Sequence, residues 1–281
     1  MDWIERLNQA MKYIEEHLGD DIDFHEIEKI TLCSSYHFQR MFNYMAELPL
    51  SEYIRRRKMS LAAVELQDEK NKVIEIALKY GYQSPTAFTR AFLRIHGVTP
   101  TQAREQGMNL KAYPPMSFHI SIKGDTAMEY RIEKKKAFRI IGASTSLEKE
   151  LEKNFESVPM FWGKCVTDGT IETLGSKMDG EIKGLLGISV CQSETDWKYY
   201  IAVASNQPAN GMEEYIIPET TWAIFSGRGD NASIQELEKR IVLDWLPTSG
   251  YEYGNAPDVE VYYNADPKDS IYEVWLPVVK K

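Results

Sequence analysis

A chain of 281 residues, 43% of them apolar, is long enough for two packed domains, and no run approaches 18 uninterrupted apolar residues, which excludes a membrane-spanning helix. Cys33, Cys165 and Cys191 are too few and too widely spaced for a disulfide framework or a zinc site. The net charge of −9 excludes a uniformly basic nucleic-acid binder, but the charge is uneven: residues 1–28 hold 2 basic and 9 acidic side chains, residues 29–104 hold 12 and 6, and residues 105–281 hold 19 and 27. Phosphate responds to the local field, so the basic middle is the candidate nucleic-acid footprint, with steep salt dependence expected. Met1-Asp2-Trp3-Ile4-Glu5 has no signal-peptide character, so a soluble, cytoplasmic chain is expected.

The periodicity of Ile4, Leu7, Met11, Ile14 and Leu18 predicts an amphipathic helix from Trp3 to Leu18, ended by Gly19. A short helix over Phe24–Ile30 and the turn Thr31-Leu32-Cys33 lead into Ser34-Ser35-Tyr36-His37-Phe38-Gln39-Arg40-Met41-Phe42. This pattern returns fifty positions later as Ser84-Pro85-Thr86-Ala87-Phe88-Thr89-Arg90-Ala91-Phe92. Each copy offers a serine helix cap, a buried stripe (Phe38, Met41, Phe42 and Met45; Phe88, Ala91, Phe92 and Ile95) and an opposite polar face. The polar faces hold Ser35, Tyr36, Gln39, Arg40 and Asn43 in the first copy, and Thr86, Thr89, Arg90 and Arg94 in the second. Between them, Ser51–Leu66 reads as a long helix bearing Arg55-Arg56-Arg57-Lys58, and Val73–Tyr80 as the short helix before Gly81 and the Ser84–His96 helix. Thr99-Pro100 starts a last short helix.

Pro114-Pro115 lies in a stretch without helical periodicity, and beyond it the period changes to two. Strands are expected at Ser117–Lys123, Glu129–Glu133, Phe138–Ser144, Leu185–Val190, Tyr199–Ala204, Glu214–Ile217, Thr221–Phe225, Val259–Tyr263 and Tyr272–Val278. Helices are expected near Val158–Val166 and Ser233–Trp245. Met128-Glu129-Tyr130 is echoed by Met212-Glu213-Glu214-Tyr215, and each copy then runs strand, helix, strand, strand. A pseudo-symmetric, two-lobed α+β domain with an antiparallel sheet and a cleft follows. The expected organisation is multidomain: an all-α tandem helix-turn-helix domain over 1–108, a linker and entry strand over 109–126, and the α+β domain over 127–281.

His37-Phe38-Gln39-Arg40-Met41-Phe42, Tyr53-Ile54-Arg55-Arg56-Arg57-Lys58-Met59, Ala77-Leu78-Lys79-Tyr80-Gly81-Tyr82 and Gly97-Val98-Thr99-Pro100 resemble the AraC/XylS DNA-binding domain, MarA/Rob subgroup, over about residues 3–106. Leu32 stands where that family commonly has a glycine, and Pro85 where the subgroup usually has a polar residue. The resemblance implies seven helices and two recognition helices held by a connecting helix, reading duplex DNA as a monomer. It implies base-edge contacts from Tyr36, Gln39 and Arg40, with Ser35 beside them, and from Thr86, Thr89 and Arg90. Arginine can pair bidentately with guanine and glutamine with adenine. Arg55, Arg57, Lys58 and Arg94 are candidates to hold phosphates.

Ile217-Pro218-Glu219-Thr220-Thr221-Trp222, Trp245-Leu246-Pro247, Pro257-Asp258-Val259-Glu260-Val261-Tyr262 and Tyr272-Glu273-Val274-Trp275-Leu276-Pro277 resemble the GyrI-like effector-binding domain. That resemblance implies an aromatic cleft with an acidic residue, suited to a lipophilic cation or drug. On alternation Glu260 shares a face with Tyr262, and Glu273 with Trp275. Trp222, Phe161, Trp162, Tyr199 and Tyr215 are candidates for the same walls. The function expected is a DNA-binding transcription regulator, an activator by family analogy, working with RNA polymerase and sensing a small molecule without a cofactor or metal. A tail that binds a protein partner is the alternative. A hydrolase is the weaker one, because all five histidines lie at or before His119 and leave the cleft without an obvious imidazole.

Overall fold

The computed structural model describes residues 3–119, 127–148, 151–191, 196–264, 266 and 268–281. The chain forms two compact units, residues 1–30 with 46–119, and residues 31–45 with 120–281. The boundary expected at residue 108 is therefore not where the packing divides: a segment of the first helix-turn-helix groups with the C-terminal half.

Unit 1 contains α1 (Trp3–Glu16), most of α2 (Phe24–Thr31), α4 (Leu50–Glu65), α5 (Val73–Lys79), α6 (Pro85–His96) and a 3-10 turn at Gln102–Arg104. Ser84 caps α6 by accepting from the Ala87 amide, Pro85 takes the first helical position, and Gly97 at φ 78 ends the helix in the left-handed region. Met59, Ala62, Leu66, Ile76, Phe88 and Phe92 form its core. The segment after α6 stays tied to this unit. Ser60 Oγ accepts from the Tyr113 amide at 2.9 Å, Tyr53 Oη accepts from the Met116 amide at 3.1 Å, and Asn8 bonds both backbone groups of Phe118. Residues 117–119 of the expected entry strand are not strand, and residues 120–126 lie outside the described ones.

Unit 2 opens with α3 (Ser35–Ala46), capped by Ser34 Oγ, which accepts from the His37 amide at 3.3 Å. Leu32, in the turn before α3, is held at φ 58 in the left-handed region. The rest of the unit is β1 (Arg131–Lys135), β2 (Phe138–Ser146), α7 (Leu151–Thr167), α8 (Thr170–Ser176), β3 (Leu185–Cys191), β4 (Trp197–Ala204), β5 (Glu213–Ile217), β6 (Thr220–Gly229), α9 (Asn231–Arg240), β7 (Tyr251–Tyr253), β8 (Val259–Tyr262) and β9 (Ser270–Lys280). A π turn over Ile241–Trp245 follows α9. The sequence pattern leaves α8 and β7 unseen.

The sheet runs β1-β6-β9-β8-β3-β4-β2-β5, with β7 on β9 and every pairing antiparallel. The two repeats meet where β3 pairs β8. Each first strand crosses over: β1 edges the second repeat on β6, and β5 edges the first on β2. The pseudo-symmetry expected from the sequence is present, with its edge strands exchanged. Residues directly opposite in an antiparallel pair share a face, so the register sorts the side chains. One face carries Leu186, Ile188, Val259, Val261, Trp222 and Trp275 in a core. The other carries Ile141, Tyr199, Ile201 and Val203, packed with Trp197, Cys165 and Leu174.

Candidate functional site

The second face of the sheet bears a cavity. The register sets Leu185 opposite Tyr262, Gly187 opposite Glu260 and Ser189 opposite Tyr199. Over these strands lie α7 and α9, and together with α3 they enclose a space of about 670 Å³. Its lining includes Tyr36, Arg40 and Tyr44 from α3, Trp162 from α7 and Glu238 from α9, with Tyr199, Glu260 and Tyr262 at the floor. Gly187 is required here by proximity. A Cβ on it would collide with Tyr199 Oη and stand 2.7 Å from Glu260 Oε2.

Glu260 is the hub of the floor. Tyr262 donates to its Oε2 at 2.7 Å and Tyr199 at 3.3 Å, while Trp162 Nε1 donates to Tyr199 Oη at 3.0 Å. The Trp162 and Tyr262 rings meet edge to face at 5.2 Å. Burial, reinforced by the like charge of Glu238, pushes the Glu260 carboxyl up to about 8. Burial also drives the Tyr199 and Tyr262 hydroxyls well above their ordinary range, and Glu260 adds to it. Around neutrality the floor holds a protonated carboxyl walled by aromatic rings, ready to ionise when a positive charge arrives.

The α3 wall is ionic. Arg40 Nη2 lies 2.7 Å from Glu238 Oε1, and Arg40 Nη1 donates to Asp258 Oδ2 at 3.2 Å. Tyr44 donates to Glu238 Oε2 at 2.8 Å, so both oxygens of Glu238 are engaged by α3. His37 Nε2 lies 3.2 Å from Asp258 Oδ2, and Tyr253 donates its hydroxyl to the same carboxylate. Burial alone would raise Asp258, but His37 and Arg40 hold it below the usual carboxylate range. Ser189 donates to Tyr36 Oη at 3.2 Å, and Tyr36 packs edge-on against Trp197 at 5.8 Å.

These positions correct several expectations. Ser35, Tyr36 and Gln39, expected on an exposed face, are buried, and the Arg40 side chain retains 13% exposure. For Tyr36 and Arg40 the cause is the packing of α3 on the sheet and α9. Arg57 is a buried structural ion, with Nη2 2.7 Å from Glu15 Oε2 and Nη1 donating to the Tyr113 carbonyl. Its position on α4 turns it inward. Glu273, Trp275, Trp222 and Tyr215 do not line the cavity. Glu273 sits opposite Val261, one residue out of phase with Glu260, Trp222 and Trp275 belong to the other face's core, and Tyr215 packs against that core. Glu273 pairs with Arg131 at 2.8 Å and accepts from Trp275 Nε1 at 2.8 Å; burial would raise it, and these partners bring it below its ordinary value. Phe161 packs into the core beneath α7. His37 packs in unit 2 and pairs with Asp258, but it is not among the residues that line the cavity.

Other positions lie as their side chains suggest. Thr86, Arg90 and Arg94 are exposed on α6, and Thr89 is half-buried. Arg55 is half-exposed and bonds Glu52 at 2.7 Å; Lys58, half-buried, reaches the Tyr80 carbonyl at 3.4 Å, and burial lowers its pKa. Sequence reasoning missed Glu238 and Asp258. For Glu238 a signal existed: it falls at i+4 from Ile234 and three before Ile241, a charge inside an apolar helical stripe.

The family model described as integron-associated effector binding protein matches residues 131–278, and a helix-turn-helix domain model matches residues 28–106. Among curated proteins, the transcriptional activator AarP of Providencia stuartii is 35% identical over 98 residues, covering 35% of this chain and 73% of that protein. The regulatory protein SoxS of Salmonella typhimurium is 34% identical over 100 residues, covering 36% of this chain and 94% of SoxS. The solved structure of SAV2435 bound to tetraphenylphosphonium is similar with a TM-score of 0.46 and 21% identity, over 54% of this chain and 94% of that one.

Proposed function

We propose, because the chain belongs to the integron-associated effector binding protein family through residues 131–278 and carries an AraC-type DNA-binding head, that this transcription regulator takes a lipophilic cation into the cavity over β3 and β8. The observation that carries this reading is the cavity itself. About 670 Å³ suits a drug-sized molecule, its walls are aromatic, and the one ionisable acid at its floor is the Glu260 carboxyl. In this reading Glu260 neutralises the cation while Trp162, Tyr199 and Tyr262 supply ring faces.

The head reads DNA with Tyr36, Gln39 and Arg40 from α3, and with Thr86, Thr89 and Arg90 from α6. Arg55, Lys58 and Arg94 hold phosphates, which positions the protein without specifying sequence. Two recognition helices in one chain allow it to bind as a monomer, since a connecting helix of 16 residues spans roughly 24 Å against the ~34 Å between successive major-groove faces. The output is activation, the role that the name of the similar protein AarP gives that protein, with RNA polymerase as the partner.

The test is binding of rhodamine 6G, a lipophilic fluorescent cation, to the full chain by fluorescence anisotropy. The wild-type chain should bind it, and Glu260→Gln should weaken binding roughly tenfold or more, a loss of about 1.4 kcal/mol. An unchanged affinity in Glu260→Gln removes that residue from the reading, and no binding by the wild type removes the cation.

A further inference from the structure

Arg40 occupies two incompatible places. To reach a guanine edge its guanidinium must project into a major groove, yet here it lies against Glu238 and Asp258 with 13% of its side chain exposed. Tyr36, a neighbouring reader on the same helix, is 7% exposed and accepts from Ser189. Helix α3 cannot present these groups to DNA and keep them in the acidic cleft together. The same contacts occupy Glu238, one of the acidic groups lining the cleft beside Glu260. Arg40 holds one oxygen of Glu238 and Tyr44 holds the other. A second cation entering beside Arg40 meets like charge, and one that reaches Glu238 must displace the guanidinium.

We infer that Arg40 is the cleft's internal ligand: α3 is latched on Glu238 and Asp258 with its base-reading face hidden, and a cationic effector frees it by taking the place of the guanidinium. This rests on the effector and DNA-reading assignments above and adds the link between them. The link is a competition at one carboxylate, so it needs no long-range pathway. It is reciprocal: whatever factor the effector adds to DNA affinity, DNA adds to effector affinity.

The experiment compares the full-length wild type with Glu238→Gln and Asp258→Asn, the two substitutions that loosen the latch without altering a proposed DNA contact. DNA affinity is read by anisotropy on a duplex obtained by in vitro selection with the full chain, with and without rhodamine 6G. Undocking is read independently from the 19F resonance of 5-fluorotryptophan at Trp197, whose ring abuts Tyr36. Each variant should bind DNA roughly tenfold tighter than the wild type, because the competent fraction is no longer held back. Rhodamine 6G should tighten the wild type by a similar factor and leave Glu238→Gln unchanged.

Equal DNA affinity for the wild type and the variants overturns the latch, whether or not the Trp197 resonance has moved. If one variant does not fold, the other carries the comparison. The dye on the wild type needs no substitution, and dye that binds without changing DNA affinity also overturns the latch. Failure of the underlying assignments looks different. Dye that does not bind at all refutes the effector reading, while the two variants still decide the latch. Arg40→Ala placed on Glu238→Gln tests base reading alone, and an unchanged affinity there refutes that role.

Discussion

Replacing Arg57 by alanine separates a structural ion from a phosphate contact. The guanidinium lies 2.9 and 3.0 Å from the two oxygens of Glu15 through Nε, 2.7 Å through Nη2, and its Nη1 serves the Tyr113 carbonyl. Tyr53 donates to Glu15 Oε1 at 2.6 Å and accepts from the Met116 amide, so the cluster ties α1, α4 and the segment after α6 together. Truncation leaves the Glu15 carboxylate, 18% exposed, without its cation and the Tyr113 carbonyl without its donor. Breaking a buried pair costs about 3–5 kcal/mol, and the partial exposure of Glu15 puts the loss near the lower end, about 3 kcal/mol. With a urea slope of about 1–3 kcal/mol/M, the unfolding midpoint of unit 1 should fall by roughly 1–3 M. The assay is urea titration followed through the 19F signal of 5-fluorotryptophan at Trp3, which reports on this unit. Arg57→Lys, which keeps the charge but loses the fork, should recover part of the loss. A stability change under about 0.5 kcal/mol, together with a salt slope of DNA binding shallower by about 0.9, would refute the structural role and restore the phosphate one.

Rhodamine 6G affinity should rise with pH towards about 8 and level off above it. The free Glu260 carboxyl holds its proton below that pH, a cation favours the ionised form, and binding therefore expels a proton; affinity flat over this range in Glu260-intact protein contradicts the assignment. Leu32→Gly should stabilise the fold by about 1 kcal/mol, because a non-glycine residue in the left-handed region costs about 1–2 kcal/mol and Leu32 is 55% exposed, so little burial is lost; a lower melting temperature would show that the leucine side chain matters more than the backbone. Gly187→Ala should cost about 1–3 kcal/mol of stability and weaken dye binding, since the added methyl meets Tyr199 and Glu260; dye titration of a folded variant with wild-type affinity would place the ligand elsewhere.

Most of the architecture was legible because it is written in period. The helices of the head fall within a residue or two of the apolar spacing, and the repeat of strand, helix, strand, strand appears as two halves of one sheet. What stayed hidden needed information that period does not carry. Alternation correctly puts Glu260 with Tyr262 and Glu273 with Trp275, but only the β8–β9 register shows that the two glutamates face opposite sides. Reading Arg55, Arg57 and Lys58 together as phosphate contacts overlooks that helical residues two apart point to opposite sides; Arg57 follows Tyr53 at i+4 and is buried with it. The burial of Tyr36 and Arg40 comes from α3 packing on a sheet far away in sequence, which the local pattern cannot contain.

The exchange of edge strands sets an order of events for the growing chain. β2 leaves the ribosome before its edge partner β5 exists, and β1 must wait for β6, since Arg131 pairs with Ile224. Such non-local closure is slow, and until it happens both repeats offer unpaired strand edges to any neighbouring chain. Synthesis of this regulator is thus exposed to misassembly until the second repeat has emerged, and a fragment holding a single repeat would have to borrow its missing edge from another molecule.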